Sequence, residues 1–561
     1  MVLAGAWAAQ VALWRPLALA GSPPADGYTR VAGVVHVHTS ASDGTGSPGE
    51  VAAIAEALGL GFVVLTDHNN LDAKDVEGYH GSTLVLVGVE ASTQSGHLLG
   101  VGIPDPVFRF SGDAPDALDD VRLLGGVAFA AHPESPRGDF RWTGWELPGP
   151  WGVELLNGDS QWREAGRPAL VKATLSYFLN PRYALLQTMT WPQGMLRRWD
   201  ALLAVRDVPG IAGSDAHARV MVGKKLAAAV PSYAAMFGLA RNHILLDEPL
   251  EGDITRDGPR VVEALARGRG YVGVDALAPA DGFSFVAEAG ATRWTMGDTV
   301  APAPGLRLRA GGPAPSGAVF TLLRDGREAR RGEGSVGLDD VVPGVYRVEV
   351  RVPGWDFPWV LSNPIYVFPP EAAEARKARA AWPALPPPPA ATKVVDTFDG
   401  FTVFEPAADT ASSLALPLLD PRAGAGGKGG AARLAFRLGN PTTSHPDVFV
   451  AMENRQARDL TGLQGLVFSI KGDGVYRIWV QARDKNPASS DDGMEFWFAS
   501  VRTSTEWQRI AVPFSRLRSI NKKTDGRLDL DKVVSIVFVM DKGAEKPGTS
   551  GTIWIDDVGI Y

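Results

Sequence analysis

Six short apolar runs between Val31 and His217 each end in a residue able to hold a metal ion or a substrate, and this recurrence restricts the fold more than any other feature of the chain. The runs are VAGVVHVH (31 to 38), GFVVLTDH (61 to 68), TLVLVGVE (83 to 90), VAFAAHP (127 to 133), WGVELLN (151 to 157) and GIAGSDAH (210 to 217). Each has the length and β-branched content of a strand, and helical stretches separate them, the pattern of parallel βα units. In barrels and open parallel sheets, functional groups gather at the carboxyl ends of the strands, where the following loops are free to vary. Ser47-Pro48-Gly49-Glu50 ahead of VAAIAEAL predicts a helix start with a capping box and proline in its first turn.

The polar residues at those ends form a coherent set. His36 and His38 sit two apart, so strand geometry predicts both imidazoles on one face, able to chelate one ion. Asp43 in the following loop can fold back over the same site, although a turn role suits an Asp-Gly pair equally well. His68 points into the same mouth, with Asp67 orienting a neighbour, and Asn69 is a candidate for substrate contact. Glu90 can bridge two cations. His97 reads equally as a further ligand and as a loop histidine bonded to backbone. His132 is the polar residue emerging from an apolar run, Glu154 supports the site or the substrate, and Asp215 with His217 forms another period-2 pair. Arg219 is a cation for a phosphate oxygen. One histidine alone is more often a satisfied core residue. Five of the chain's nine at strand ends are not, because charge is costly to bury there without a metal or partner. His80, His243 and His445 lack such a context and read as ordinary.

At 561 residues the chain is too long for one core. Residues 31 to 275 form the expected α/β domain; 283 to 368, with alternating strands and Gly/Pro turns, an immunoglobulin-like β-sandwich; 369 to 393 a helical and then proline-rich stiff linker; and 394 to 561 a second, larger all-β domain. The first 20 residues are mostly apolar and end in Ala18-Leu19-Ala20, which fits an export signal over residues 1 to 22 slightly better than a buried helix, with a cytoplasmic location as the alternative. Arg15 and Pro16 argue against a membrane span. A net charge of -8 gives no general attraction to nucleic acid, so an anionic substrate must be held locally. The absence of cysteine excludes disulfides, thiolate zinc sites and thiol nucleophiles.

The order HxH, Asp, TDH, Glu, His and DxH over residues 31 to 275 resembles the polymerase and histidinol phosphatase (PHP) family of metal-dependent phosphoesterases. The resemblance implies a distorted (β/α)7 barrel with two or three Mn, Zn or Fe ions. It puts His36, His38, Glu90 and Asp215 on one ion, Asp43, His68 and His217 on a second, and Glu90, His132 and His97 on a third. Many members have His where this chain has Asp43, and an oxygen ligand favours harder ions such as Mn or Fe. The implied reaction is direct hydrolysis of a phosphoester by metal-activated hydroxide, with Asp215, His217 and Arg219 at the catalytic centre. The stretch 170 to 203 is longer than such a domain needs and is expected to shape the substrate mouth.

The close GTIWIDDVGIY and opening VVDTFDGFTVF of the last domain resemble galactose-binding-like jelly rolls, as in carbohydrate-binding modules. Trp479, Trp497 and Trp507 are candidates for stacking on sugars, with core packing the commoner fate of strand tryptophans, and Asp399 with Asp557 for a structural calcium. The partners implied are a phosphorylated small molecule or glycan and a carbohydrate ligand. Three rival readings are a carbohydrate-binding surface protein with purely structural metals, an amidohydrolase-like C–N hydrolase, and a proofreading nuclease, the last without a basic groove to support it. Turnover by a fragment of residues 23 to 280 would separate the first from the enzyme.

Overall fold

The computed structural model describes residues 2–222, 226–384, 386–490 and 492–561, so Met1 of the expected signal and Leu385 of the expected linker lie outside it. The architecture is mixed, strand-rich and multidomain, with a C-terminal β-sandwich. It divides into two compact units, residues 1–105 with 112–383, and residues 106–111 with 384–561.

In the first unit the expected runs form strands β1 (Thr29–Val37), β2 (Phe62–Leu65), β3 (Thr83–Val87) and β4 (Val89–Thr93), which Gly88 divides, then β6 (Val127–Ala130), β7 (Trp151–Asn157) and β8 (Gly210–Ala216). A strand not anticipated from the sequence, β5 (Gly96–Val101), forms an antiparallel hairpin with β4 and also pairs antiparallel with β6. The remaining neighbours β1–β2, β2–β3, β6–β7, β7–β8 and β8–β1 are parallel, and the pairing returns on itself. Val35, Phe62, Leu84, Leu99, Phe129 and Ile211 fill the core it creates. These strands are buried almost throughout, as closed parallel sheets require, so they read as continuous apolar runs rather than alternating ones. The capping box is made as expected: Ser47 Oγ accepts from Glu50 N, and Ser47 N donates to Glu50 Oε2 at 2.8 Å, starting the helix Pro48–Ala57.

The region 283 to 368 supplies a four-stranded antiparallel sheet and a second sheet that continues into the ring. Strand β9 (Arg241–Leu246) pairs with β1, β10 (Gly270–Gly273) with β9, and β11 (Pro358–Ser362) with β10 in the register Tyr271↔Ser362. The first half of the stretch 369 to 393 is helical. It is the helix Pro370–Ala380, anchored by the buried Arg376, whose guanidinium bonds Asp207 Oδ1 and Leu203 O. The N-terminal segment is docked as well: Val11 is buried, Leu17 N donates to Leu277 O, and Leu19–Ala20 pairs with Ala314–Pro315. Among the described residues no helix is long and apolar enough to cross a membrane.

The second unit packs two antiparallel sheets face to face over a core that includes Phe398, Leu434, Phe468, Trp497 and Phe538. Glu545 lies fully buried beside that core, with Oε1 accepting from Arg477 N and Oε2 without a partner. Burial pushes its carboxyl up to about 8. A carboxyl raised from the ordinary 4.5 stabilises the fold below that value, and the contribution is lost as pH rises through 8. Glu545→Gln is therefore expected to match the parent in thermal denaturation at pH 5 and to exceed it at pH 9, by on the order of 2–4 kcal/mol. Equal stability at pH 9 refutes the assignment.

Candidate metal centre

The ring's strand ends carry a backbone that non-glycine residues avoid. His36, Asn69, His132, Asp215 and Ala218 all have positive φ, between 28° and 66°. Each such position costs about 1–3 kcal/mol and persists only where its surroundings impose it. The register of β8 against β1 shifts between Gly213 and Ala216 for the same reason. His36 and His38 thus converge through a left-handed kink, which brings their Nε2 atoms within 3.1 Å, rather than through plain strand alternation.

Glu90, 1% exposed, is the hub. Its Oε2 lies 3.2 Å from His36 Nε2 and 3.1 Å from both His38 Nε2 and His68 Nδ1. Its Oε1 lies 2.7 Å from His97 Nδ1 and 2.9 Å from His132 Nε2. Asp215 Oδ1 is 3.4 Å from the Nε2 atoms of both His36 and His38. The 3.1–3.4 Å that separates each of these carboxylate oxygens from the two imidazole nitrogens is about what an ion with tetrahedral bonds of about 2.0–2.1 Å would set. A second group gathers at the rim, where Asp43 Oδ1 is 3.2 Å from His217 Nε2, 3.7 Å from His38 Nδ1 and 3.8 Å from His68 Nε2. Asp43 Oδ1, His68 Nδ1 and His132 Nδ1 are buried atoms that lack a hydrogen-bond partner. These clusters fit metal binding. His97 belongs to them rather than to a loop.

The charges interlock. Burial alone would lower His36 and His38, yet the carboxylates of Asp215, Glu90 and, for His36, Glu154 hold both up, His38 to about 9. Burial would raise Glu90, Asp215 and Asp43, and the surrounding imidazoles pull all three down, Asp43 to about 2. His68 moves the other way, to about 4, chiefly through burial. Anionic oxygens clustered with imidazole nitrogens have the composition of a cation site.

Around this set stand groups that fix it. Glu154 is buried behind His36, accepting from His36 Nδ1 at 2.6 Å and from His132 N and Asn157 Nδ2. It holds His36 and His132 in place and does not line the cavity over the cluster. Its space exists because residue 213 is glycine: a Cβ there would lie 1.8 Å from Glu154 Oε1. Asp67 accepts from Thr39 N, Thr39 Oγ1 and Ser42 Oγ, which ties down the loop bearing Asp43. Tyr233 donates to His38 O at 2.8 Å. Asn69, expected at the substrate, is an exposed residue whose amide hydrogen-bonds Ser92 from a left-handed turn that faces β4.

The mouth is a cavity of about 450 Å³ bordered by Asp43, His217, Arg219, Arg137, Phe140, Trp162 and Arg163. Arg219 Nη1 donates to Asp43 O. Arg163 pairs with the buried Asp159 and lies 4.3 Å over the Trp162 ring; Arg137 lies 4.3 Å over Phe140. Sequence reasoning missed Asp159, Trp162 and Arg163, which follow WGVELLN on the helix Gly158–Glu164. The signal available was the Asp-to-Arg spacing of four directly after a strand end.

Elsewhere the outcomes differ. His243, read as ordinary, is buried with Nε2 3.0 Å from Asp275 Oδ1 and Nδ1 3.4 Å from Asp281 Oδ1. Trp497 is a core residue of the second unit and unavailable to sugars. Trp507 lies under Lys471 on one sheet, while Trp479 alternates with Gln481 and Arg483 away from the core on the other. No group of three ligating side chains forms around Asp399 and Asp557 among the described residues; Asp399 instead caps Gly430 N.

Residues 382–561 match the family model of the carbohydrate binding domain (family 11), which bears out the resemblance read in that domain. Among solved structures, the chain is similar to a family 11 carbohydrate-binding module from Clostridium thermocellum in complex with a β-1,3-1,4-mixed-linked tetrasaccharide, at 20% identity over 30% of this chain and 92% of that one, TM-score 0.24. It is also similar to a two-domain protein from Bacteroides vulgatus containing a predicted PHP-like metal-dependent phosphoesterase, at 16% identity over 63% of this chain and 99% of that one, TM-score 0.29. A third is a family 30 carbohydrate-binding module of a cellulosomal cellulase from Clostridium thermocellum, at 18% identity over 27% and 89%, TM-score 0.19. No curated protein matches.

Proposed function

We propose that the first unit is a metal-dependent phosphoesterase built on a distorted (β/α)7 barrel, with the region 283 to 368 as an immunoglobulin-like sandwich packed on it. The observation that carries this reading is Glu90, a single buried carboxylate with five imidazoles distributed over its two oxygens. His36, His38, Glu90 and Asp215 would hold one ion, Asp43, His68 and His217 a second, and Glu90, His97 and His132 a third. When bound, such ions supply Lewis acidity that activates water near neutral pH and offsets phosphoryl charge.

The chain's own residues supply the rest. Glu154 fixes the His36 ring so that Nε2 faces inward, and Asp67 holds the loop that presents Asp43. Arg219 and Arg163 border the mouth as cations for phosphoryl oxygens, with Arg219 beside the departing oxygen. Trp162 and Phe140 offer ring faces to an organic group carried by the phosphate. In the second unit Trp479, with Gln481 and Arg483 beside it, suits stacking and hydrogen bonding to a glycan, in keeping with the family 11 match. The substrate is thus a phosphorylated small molecule or glycan, and an exported enzyme is the natural setting.

Protein purified without chelator is expected to carry two or three ions per chain by elemental analysis. It should hydrolyse p-nitrophenyl phosphate or its diester, lose turnover on chelation and regain it with Mn. Metal-free, inactive protein would instead favour a carbohydrate-binding protein. Ions bound without turnover would leave them structural.

A further inference from the structure

The helix α1 (Arg167–Tyr177) is turned inside out. Its buried residues are the small Ala173 and Ser176, whereas Val171, Leu175 and Phe178 form an i, i+4, i+7 stripe facing solvent, 59%, 60% and 85% exposed. A surface helix ordinarily does the reverse. The stripe is not isolated: the N-terminal helix Val2–Leu13 abuts the end of α1, where Asn180 Nδ2 donates to Val11 O at 3.2 Å and Trp14 O at 3.1 Å, and its Leu13 is 72% exposed.

Charge separates the possible occupants. The chain carries a net -8, yet between Glu164 and Asp200 it has no acidic residue and five cations, Arg167, Lys172, Arg182, Arg197 and Arg198. Residues 1 to 25 likewise contain no acid. Arg167, Lys172 and Arg182 are exposed, and none pairs with a carboxylate among the described residues. A second copy seated on this face would bring like charges together. A bilayer rich in anionic lipid would accept the apolar side chains at its headgroup boundary and the cations at its phosphates.

We propose that this face docks on an anionic lipid surface, holding the first unit at a membrane that no helix of the described residues is long enough to span. The inference is independent of the metal reading, since binding is measured without turnover.

The full chain is tested by cosedimentation with phosphatidylcholine vesicles, with and without phosphatidylglycerol, at low and high salt. The wild type is expected to pellet with the anionic vesicles and to release as salt rises. The Leu175→Asp/Phe178→Asp pair should bind about tenfold more weakly or worse. Lys172→Glu should bind a few-fold more weakly. All three positions are exposed, so circular dichroism melts should match the parent. A wild type that stays in the supernatant overturns the proposal, as does a double variant that pellets like the parent. So does a double variant that only converts a dimer to a monomer by light scattering, which would assign the stripe to a second copy.

Discussion

Glu90→Ala protein is expected to retain at most one divalent ion per chain and to hydrolyse phosphoesters about 10³-fold more slowly than the parent, since even partners that merely orient a ligand cost 10–100-fold. The effect is large because one side chain serves several positions. Its Oε2 is within 3.2 Å of nitrogens from His36, His38 and His68, and its Oε1 within 2.9 Å of His97 and His132. Asp215, a second buried carboxylate of the cluster, reaches His36, His38 and His217, and none of its ion-pair contacts among the described residues is with His68 or His97. Removing Glu90 therefore leaves the two inner groups without their shared anion and five imidazoles facing a void. The rim group around Asp43 keeps its donors, which is why one ion is expected to remain. Elemental analysis beside the turnover assay reads both effects. Unchanged metal content with turnover lost would make Glu90 a chemical participant and no ligand. Unchanged turnover would remove the site from consideration.

Much of this centre was legible because seven of its residues end apolar runs, and a polar residue emerging from a buried strand must be satisfied by something. That argument found His36, His38, His68, Glu90, His132, Asp215 and His217 from local pattern. It could not find how they converge, since positive φ at His36, His132 and Asp215 is imposed by the closed ring and leaves no mark in residues that are not glycine. It left His97 undecided because GHLLGV is short and its hairpin with β4 is fixed by pairing. It missed Trp162 and Arg163 because a helix's approach to a mouth depends on packing, it left Glu154 open between supporting the site and the substrate because only the fold sets it behind His36, and it could not see that Asn69 bonds Ser92. The capping box at Ser47 was readable outright because its partners are three residues apart.

The same contrast between local and distant pairing leads to the second large effect. A chain limited to residues 23 to 280 is expected to aggregate or remain unfolded, although it contains every proposed ligand. Its last strand, β10, would become a bare edge where β11 now pairs along Tyr271↔Ser362, Val272↔Leu361 and Gly273↔Val360, and exposed edges recruit other chains. Trp359, fully buried, would no longer donate to Ala278 O. Asn363 matters most for the centre, because its Oδ1 accepts from Gly210 N at 2.7 Å while its Nδ2 donates to Gly210 O and Gly270 O. Gly210 begins the strand that ends near Asp215, so the ligand's position depends on a residue outside the fragment. Each buried backbone group left unpaired costs about 1–3 kcal/mol against a total stability of about 5–15 kcal/mol, and Asn363 alone covers three. Asn363→Ala in the full chain should lower stability by roughly 3 kcal/mol and isolates that contribution. A soluble, monomeric 23–280 fragment with a cooperative melt would show the barrel to be self-sufficient. Failure of the fragment beside a folded full chain would instead mean that the centre is assembled by the whole first unit, with the sandwich strands as structural members of the barrel.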